Sequence, residues 1–154
     1  MRVCLASDHR GFSAKGKLVA MLREKGHEVT DWGTHSTESC DYTDFGGPVS
    51  QKVAAGEFDA GVLLCGTGIG MSITANKVPG IRAALCHDEL TAELSRRHND
   101  ANVLCLPADL VGEELLRRIV EVWLTTPFDG GRHARRLKKL TELEHGVELG
   151  QADP

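Results

Sequence analysis

Short apolar segments alternate with amphipathic ones along almost the whole chain, and this alternation restricts the fold more than any other feature. Residues 60–65 (AGVLLC) are typical of a buried strand, whereas Leu18, Val19 and Leu22 have the spacing of one helix face. The pattern repeats five times. Parallel strands need crossover connections, which are usually helices, so the chain predicts an α/β fold with a five-stranded parallel sheet covered on both faces.

The predicted elements follow one another without a linker or an internal repeat. Strands are expected at 3–6, 27–32, 60–65, 81–86 and 102–106. Asp88 is expected to cap a helix with Leu90, Leu94 and His98 on one stripe. Further helices are expected around 49–54, 71–77, 111–123 and 132–144. We therefore predict one domain over residues 1–145 and a flexible tail over 146–154.

Composition excludes several classes of protein. The 154 residues suit one globular domain, and a formal charge of −4 argues against a broad nucleic-acid surface. No apolar run approaches the ~20 residues of a membrane span, and the N-terminus does not resemble a signal peptide. Five cysteines stand far apart with no CxxC pair, which argues against a zinc site and for free thiols. We expect a cytoplasmic protein without nucleic-acid, membrane or metal partners.

The segment from Cys65 to Gly70 is the strongest candidate for a functional site. Three glycines in five positions allow a sharp turn and a close backbone approach to a ligand. A predicted helix follows, so amide N–H groups can face an anion, and their field would favour a Cys65 thiolate. Two other interpretations remain: a dinucleotide-type turn, although its spacing is GxGxG rather than GxGxxG, or a merely buried cysteine.

Four further candidates have simpler alternatives. Asp8 and His9 follow the first strand and are equally suited to capping a helix near Phe12. Arg132 and Arg136 share a helix face and form either a phosphate clamp or a solvated surface. Together with Cys65, these groups indicate a small anionic ligand, a thiolate base and donors for a developing oxyanion. Proton abstraction next to a carbonyl would use such a set.

His98 lies on a predicted apolar stripe, where a histidine is as readily a packing or interface residue as a catalyst. Asn99 and Asp100 follow it at the predicted helix end and make that end polar.

Several motifs in order resemble the type B ribose-5-phosphate isomerases, whose superfamily also contains galactose- and allose-phosphate isomerases. The resemblance extends from Met1 to about Glu144. The motifs that carry it are 7–12 (SDHRGF), 41–42 (DY), 65–70 (CGTGIG), 75–77 (ANK), 80–83 (GIRA), 95–102 (SRRHNDAN) and 130–133 (GGRH). The family fold implied is a Rossmann-like three-layer α/β/α sandwich with strand order 2-1-3-5-4.

The resemblance also implies roles in catalysis. Cys65 would move a proton between C1 and C2 of a phosphosugar through a cis-enediolate. The backbone of Gly66, Gly68, Ile69 and Gly70, with that of Thr67, would bind the intermediate. His98 would be the acid that opens the sugar ring, with assistance from the Thr67 side chain.

The remaining site residues would hold the substrate. Asp8 and Asn99 would bind sugar hydroxyls, and His9, Arg132 and Arg136 would face the phosphate. By the same analogy the protein needs no metal and no organic cofactor. It would form a homodimer, or a tetramer of such dimers, in which the segment with His98 enters the partner's site.

One position departs from the family pattern. The segment after the fifth strand has Asp109 where the family has an arginine that contacts phosphate. A carboxylate there repels phosphate unless another cation intervenes, which leaves the identity of the sugar open. The alternatives to ribose 5-phosphate are another pentose, a tetrose or a hexose phosphate, or a catalytically altered homologue that only binds sugar phosphates. A nucleotide-binding domain is disfavoured, because no glycine-rich turn follows the first strand.

Overall fold

The computed structural model describes residues 1–150. Five strands alternate with five helices in this part of the chain, and a sixth helix follows the last of them. They are β1 (Arg2–Ser7), α1 (Phe12–Glu24), β2 (Glu28–Asp31), α2 (Thr43–Ala54), β3 (Ala60–Cys65), α3 (Ile69–Ala75), β4 (Ala83–Leu85), α4 (Glu89–Asn99), β5 (Val103–Pro107), α5 (Glu113–Thr125) and α6 (Arg132–Glu144). All strand pairs are parallel, in the order β2-β1-β3-β5-β4. The predicted α/β sandwich and its strand order are confirmed.

Alternate residues of the central strands enter two separate cores. Leu64 and its neighbours on one sheet face pack with α1 and α5, and Leu63 and Cys65 on the other face pack with α2 and α3. Every residue of β3 and β5 is buried, because both strands lie inside the sheet and are covered on both sides. Cys65 therefore reaches the sheet edge from a rigid, fully enclosed strand.

The predicted stripe of α4 is wrong. Leu90 is exposed, and the buried residues of the helix are Ala92 and Ser95. The reason is the packing against α5, where Trp123 donates its indole N–H to the Ser95 hydroxyl at 3.1 Å and small α4 residues allow close approach. The predicted cap is confirmed, since the Asp88 side chain accepts the N–H of Thr91.

Other differences are confined to element ends. Helix α3 begins at Ile69, two residues earlier than predicted, because Gly68 adopts a left-handed conformation that starts the helix within the glycine turn. Strand β4 is limited to three residues. Residues 147–150 follow α6 without regular secondary structure, and residues 151–154 of the predicted tail lie outside the described residues. None of the described helices has the length and apolar character needed to cross a membrane.

The topology assigns the candidate residues to opposite ends of the parallel strands, which are called here the carboxyl edge and the amino edge of the sheet. Strands β1 and β3 end at the carboxyl edge, with Asp8 and Cys65. Helix α4 starts near the carboxyl end of β4 and returns to the amino edge, where Asn99 ends it four residues before β5 begins. An 11-residue helix is roughly 16 Å long, so His98 lies about a strand length from the carboxyl edge.

Candidate active site

The glycine turn places one backbone N–H group against the sulfur of Cys65. The Gly68 N–H donates to Cys65 Sγ at 3.1 Å. Gly68 has a φ of 74°, and a Cβ atom there would lie 2.5 Å from Leu85 Cδ1 and 3.0 Å from the carbonyl carbon of Leu106. Only glycine fits this conformation in this space. The hydrogen bond from Gly68 therefore holds the Cys65 sulfur at the head of the turn.

Side chains from two other loops close on the same turn. A Cβ atom on Gly70 would lie 2.7–2.9 Å from the ring of Tyr42, and one on Gly66 would lie 2.6 Å from Asp109 Oδ2. Thr67 is exposed, and its hydroxyl accepts the N–H of Ile69 at 3.3 Å. The turn is thus open to solvent at Thr67 and is covered at its two ends by Asp109 and Tyr42. Tyr42 was not among the predicted site residues, although it belongs to one of the resemblance motifs.

The first strand brings Asp8 and His9 to the same edge, as predicted. Asp8 is buried, and its Oδ1 accepts the N–H groups of Arg10 at 2.9 Å and Gly11 at 3.1 Å. Both bonds come from residues that precede α1, and its N-cap, Gly11, has no side-chain cap hydrogen bond, so the predicted alternative of a helix cap is wrong. The N–H of Cys40 approaches Nδ1 of His9 at 3.3 Å, which orients the imidazole. Asp8 and His9 are held rigidly beside the Cys65 turn.

An ion pair at the carboxyl edge was not predicted. Arg10 donates its Nε–H to Asp109 Oδ2 at 2.9 Å, and its Nη2 lies 2.7 Å from the same oxygen. The Asp109 N–H donates to the carbonyl of Gly66 at 3.0 Å. Asp109 therefore faces the glycine turn, and a cation does intervene beside it. Sequence reasoning could not pair residues 99 positions apart.

The remaining predicted residues form a second cluster at the amino edge. His98 stacks on His133, with ring centroids 4.2 Å apart and an interplanar angle of 5°. Burial, followed by the charges of His98 and Arg132, lowers the pKa of His133. His133 was not among the predicted site residues. Asn99 lies at the end of α4 and lines a cavity of about 290 Å³.

Arg132 and Arg136 are both exposed in the first turns of α6. Neither forms an ion pair with another side chain within residues 1–150, whereas Arg97 nearby is bound by Asp129 and Glu93. Two arginines with uncommitted donors one helical turn apart are suited to a phosphate group.

One group of residues in the described chain has the proximity expected of metal ligands. The ligand atoms of His98, Asp129 and His133 lie within 4.8 Å of one another. The two imidazoles are nearly parallel, so their lone pairs do not converge, and both Asp129 oxygens accept from Arg97 Nε. The arrangement does not fit a tetrahedral or octahedral metal site.

Three other cysteines are structural. Burial raises the pKa of Cys4 to about 12 and raises the pKa values of Cys86 and Cys105. All five thiols are free, as predicted. These three lack the glycine turn that brings the Gly68 N–H to the Cys65 sulfur.

Comparison with known proteins identifies the family of this chain. The family model described as Ribose/Galactose Isomerase matches residues 3–140. Ribose-5-phosphate isomerase B of Escherichia coli strain K12 is 47% identical over 93% of this chain and 96% of its own length.

Two solved structures have the same fold over nearly the whole chain. Ribose-5-phosphate isomerase B of Clostridium thermocellum superimposes with a TM-score of 0.94 and 49% identity, covering 95% of this chain and 99% of that one. The enzyme of Mycoplasma genitalium with bound ribulose-5-phosphate has a TM-score of 0.92 and 40% identity, covering 95% and 97%. By its sequence, its fold and the glycine turn that bears Cys65, this chain belongs to the ribose/galactose isomerase family.

Proposed function

We propose that the chain is an aldose–ketose isomerase of phosphorylated sugars, converting ribose 5-phosphate to ribulose 5-phosphate or acting on a related phosphosugar. The observation that carries the proposal is the Cys65 sulfur at 3.1 Å from the Gly68 N–H, at the head of a turn with further backbone donors. A base next to a built anion site is what proton transfer beside a carbonyl requires. Membership of the ribose/galactose isomerase family supports the substrate class.

In the proposed reaction Cys65 is the base. Its thiolate takes the proton from C2 of the open-chain aldose, and the electrons of that C–H bond form the C1–C2 double bond. The C1 carbonyl then becomes the enediolate oxygen, which the backbone N–H groups of 66–70 stabilise. The thiol returns the proton to C1, and transfer of the hydroxyl proton from O2 to O1 completes the ketose.

The other site residues would prepare the substrate. His98 would donate a proton to the ring oxygen and open the cyclic sugar, assisted by Thr67. Asp8 and Asn99 would accept hydrogen bonds from sugar hydroxyls. His9, Arg132 and Arg136 would bind the phosphate.

These roles require two chains, because Cys65 and His98 lie at opposite edges of the sheet. We propose a homodimer, or a tetramer of such dimers, in which His98, Asn99, Arg132 and Arg136 of one chain complete the Cys65 site of the other. Exposed apolar side chains beside the glycine turn support this arrangement, since Ile69 and Ile73 lie on one face of α3 and are 52% and 57% exposed. A cytoplasmic location remains part of the same proposal.

The test is a panel of phosphorylated pentoses, hexoses and tetroses, followed by the exchange of substrate hydrogen with solvent. We expect one sugar class to isomerise and the Cys65→Ala variant to lose both turnover and exchange while still binding a phosphosugar analogue. Cys105→Ala is the matched control, because it removes a buried thiol of the same core without touching the turn. Near-normal turnover in Cys65→Ala, or binding without turnover of any sugar by the parent protein, would contradict the proposal.

A further inference from the structure

We propose that Arg10, oriented by Asp109, is a phosphate-binding residue that each chain contributes to its own Cys65 site. The inference rests on the proposed function and extends it. Arg10 would supply the site with a cation at the carboxyl edge, whereas Arg132 and Arg136 of the same chain lie at the amino edge.

Backbone hydrogen bonds hold both Arg10 and Asp109 beside the Cys65 turn. The Arg10 N–H is bound by the carboxylate of Asp8, and the Asp109 N–H is bound by the carbonyl of Gly66. Between these anchors the two side chains meet through Oδ2 of Asp109. The guanidinium therefore has a defined position over the edge of the glycine turn, although its side chain is 58% exposed.

Electrostatics explains why the pair matters for an anionic substrate. Asp109 Oδ2 lies 2.6 Å from where a Cβ of Gly66 would be, beside the backbone that would stabilise an anion. An unpaired carboxylate there would repel both the enediolate and a phosphate. Arg10 neutralises it with Nε and Nη2, and Nη1 makes no hydrogen bond within residues 1–150. A guanidinium has five N–H donors, so donors remain for phosphate oxygens.

The nearest cations of the following helix, α1, form ion pairs of their own. Lys15 is buried and paired with Asp31, and Lys17 is paired with Glu113 at 2.5 Å. Arg10 is the cation of this segment that is both exposed and adjacent to the Cys65 turn. These contacts make it the group best placed to receive a phosphate from the solvent side.

The probe for the test is inorganic phosphate, used as a competitive inhibitor of the parent enzyme and titrated calorimetrically into the Cys65→Ala protein. For Arg10→Gln we expect about tenfold weaker phosphate binding and a similar rise in KM, with kcat within about twofold. Arg10→Lys should recover part of the affinity but not all of it, because lysine lacks the planar fork. Asp109→Asn should not weaken phosphate binding as Arg10→Gln does, since it keeps the cation and removes the carboxylate that would repel phosphate.

Arg2→Gln is the matched control. Arg2 forms an ion pair with Asp59 that is similarly exposed, but at the amino end of β1. We expect it to leave phosphate binding and KM unchanged. An unchanged phosphate affinity in Arg10→Gln would overturn the proposal, as would an equal loss in Arg2→Gln. Calorimetry on the Cys65→Ala protein needs no turnover, so a failure of the proposed isomerase activity is distinguishable from a failure of the Arg10 proposal.

Discussion

Mixing two inactive variants should restore activity, because the structure separates Cys65 from His98 within one chain. The perturbation is Cys65→Ala in one preparation and His98→Gln in another, followed by subunit exchange between them. Helix α4 spans the sheet from the carboxyl edge to the amino edge over roughly 16 Å, so one small sugar cannot touch both groups of a single chain. Under the proposed function, a complete site then combines Cys65 of one chain with His98 of another.

The expected magnitude follows from this arrangement. Random exchange puts one chain of each kind into half of the dimers. Each mixed dimer has one site with both substitutions and one with neither. The mixture should therefore reach about a quarter of the parental activity, far above either variant alone.

The assay is the initial rate of isomerisation before and after exchange, with differently tagged chains to quantify mixed dimers. The control is Cys65→Ala mixed with a second, differently tagged Cys65→Ala preparation, which should gain nothing. If mixed dimers form but the isomerisation rate stays at the mean of the two variants, the shared site is refuted. Cys65 and His98 would then act within one chain.

Three further outcomes are expected. His98→Gln should slow cyclic sugars by about 10²–10⁴-fold and open-chain substrate far less, and equal losses on both would remove His98 from ring opening. Gly70→Ala should lower kcat/KM about tenfold, because its Cβ would collide with the Tyr42 ring. Adding Tyr42→Ala in the same chain should recover part of the loss. Full activity of Gly70→Ala alone would contradict this packing. Asp31→Asn should lower the free energy of unfolding at pH 7 by about 3 kcal/mol, because it leaves buried Lys15 unpaired. Burial would raise the pKa of Asp31, but the hydrogen bond from Lys15 holds that pKa below its ordinary 3.8. Denaturant unfolding should therefore show the full difference in free energy of unfolding between parent and variant above pH 3.8, and the difference should be lost as pH falls through the lowered pKa. A difference that does not depend on pH would refute the role of the ion pair.

Local pattern was enough to predict the architecture and the glycine turn of the candidate site. Buried strands are short continuous apolar runs and amphipathic helices have a period of 3.6 residues, and both patterns are visible in a single sequence. The glycine turn after Cys65 and the cap at Asp88 depend on neighbours within five positions, so both could be predicted from residue order. The resemblance to a known family added the strand order, which local pattern leaves open.

Contacts between distant segments were decided only by the folded chain. Arg10 meets Asp109, and Tyr42 covers Gly70, because strand order and crossover helices bring together loops that are far apart in the sequence. The stripe of α4 was misassigned because packing against Trp123, rather than helix periodicity, selects Ser95 as a buried residue. The separation of His98 from Cys65 has the same origin. A residue's position along its helix or strand decides at which edge of the sheet it lies, and spacing in the sequence alone does not specify that edge.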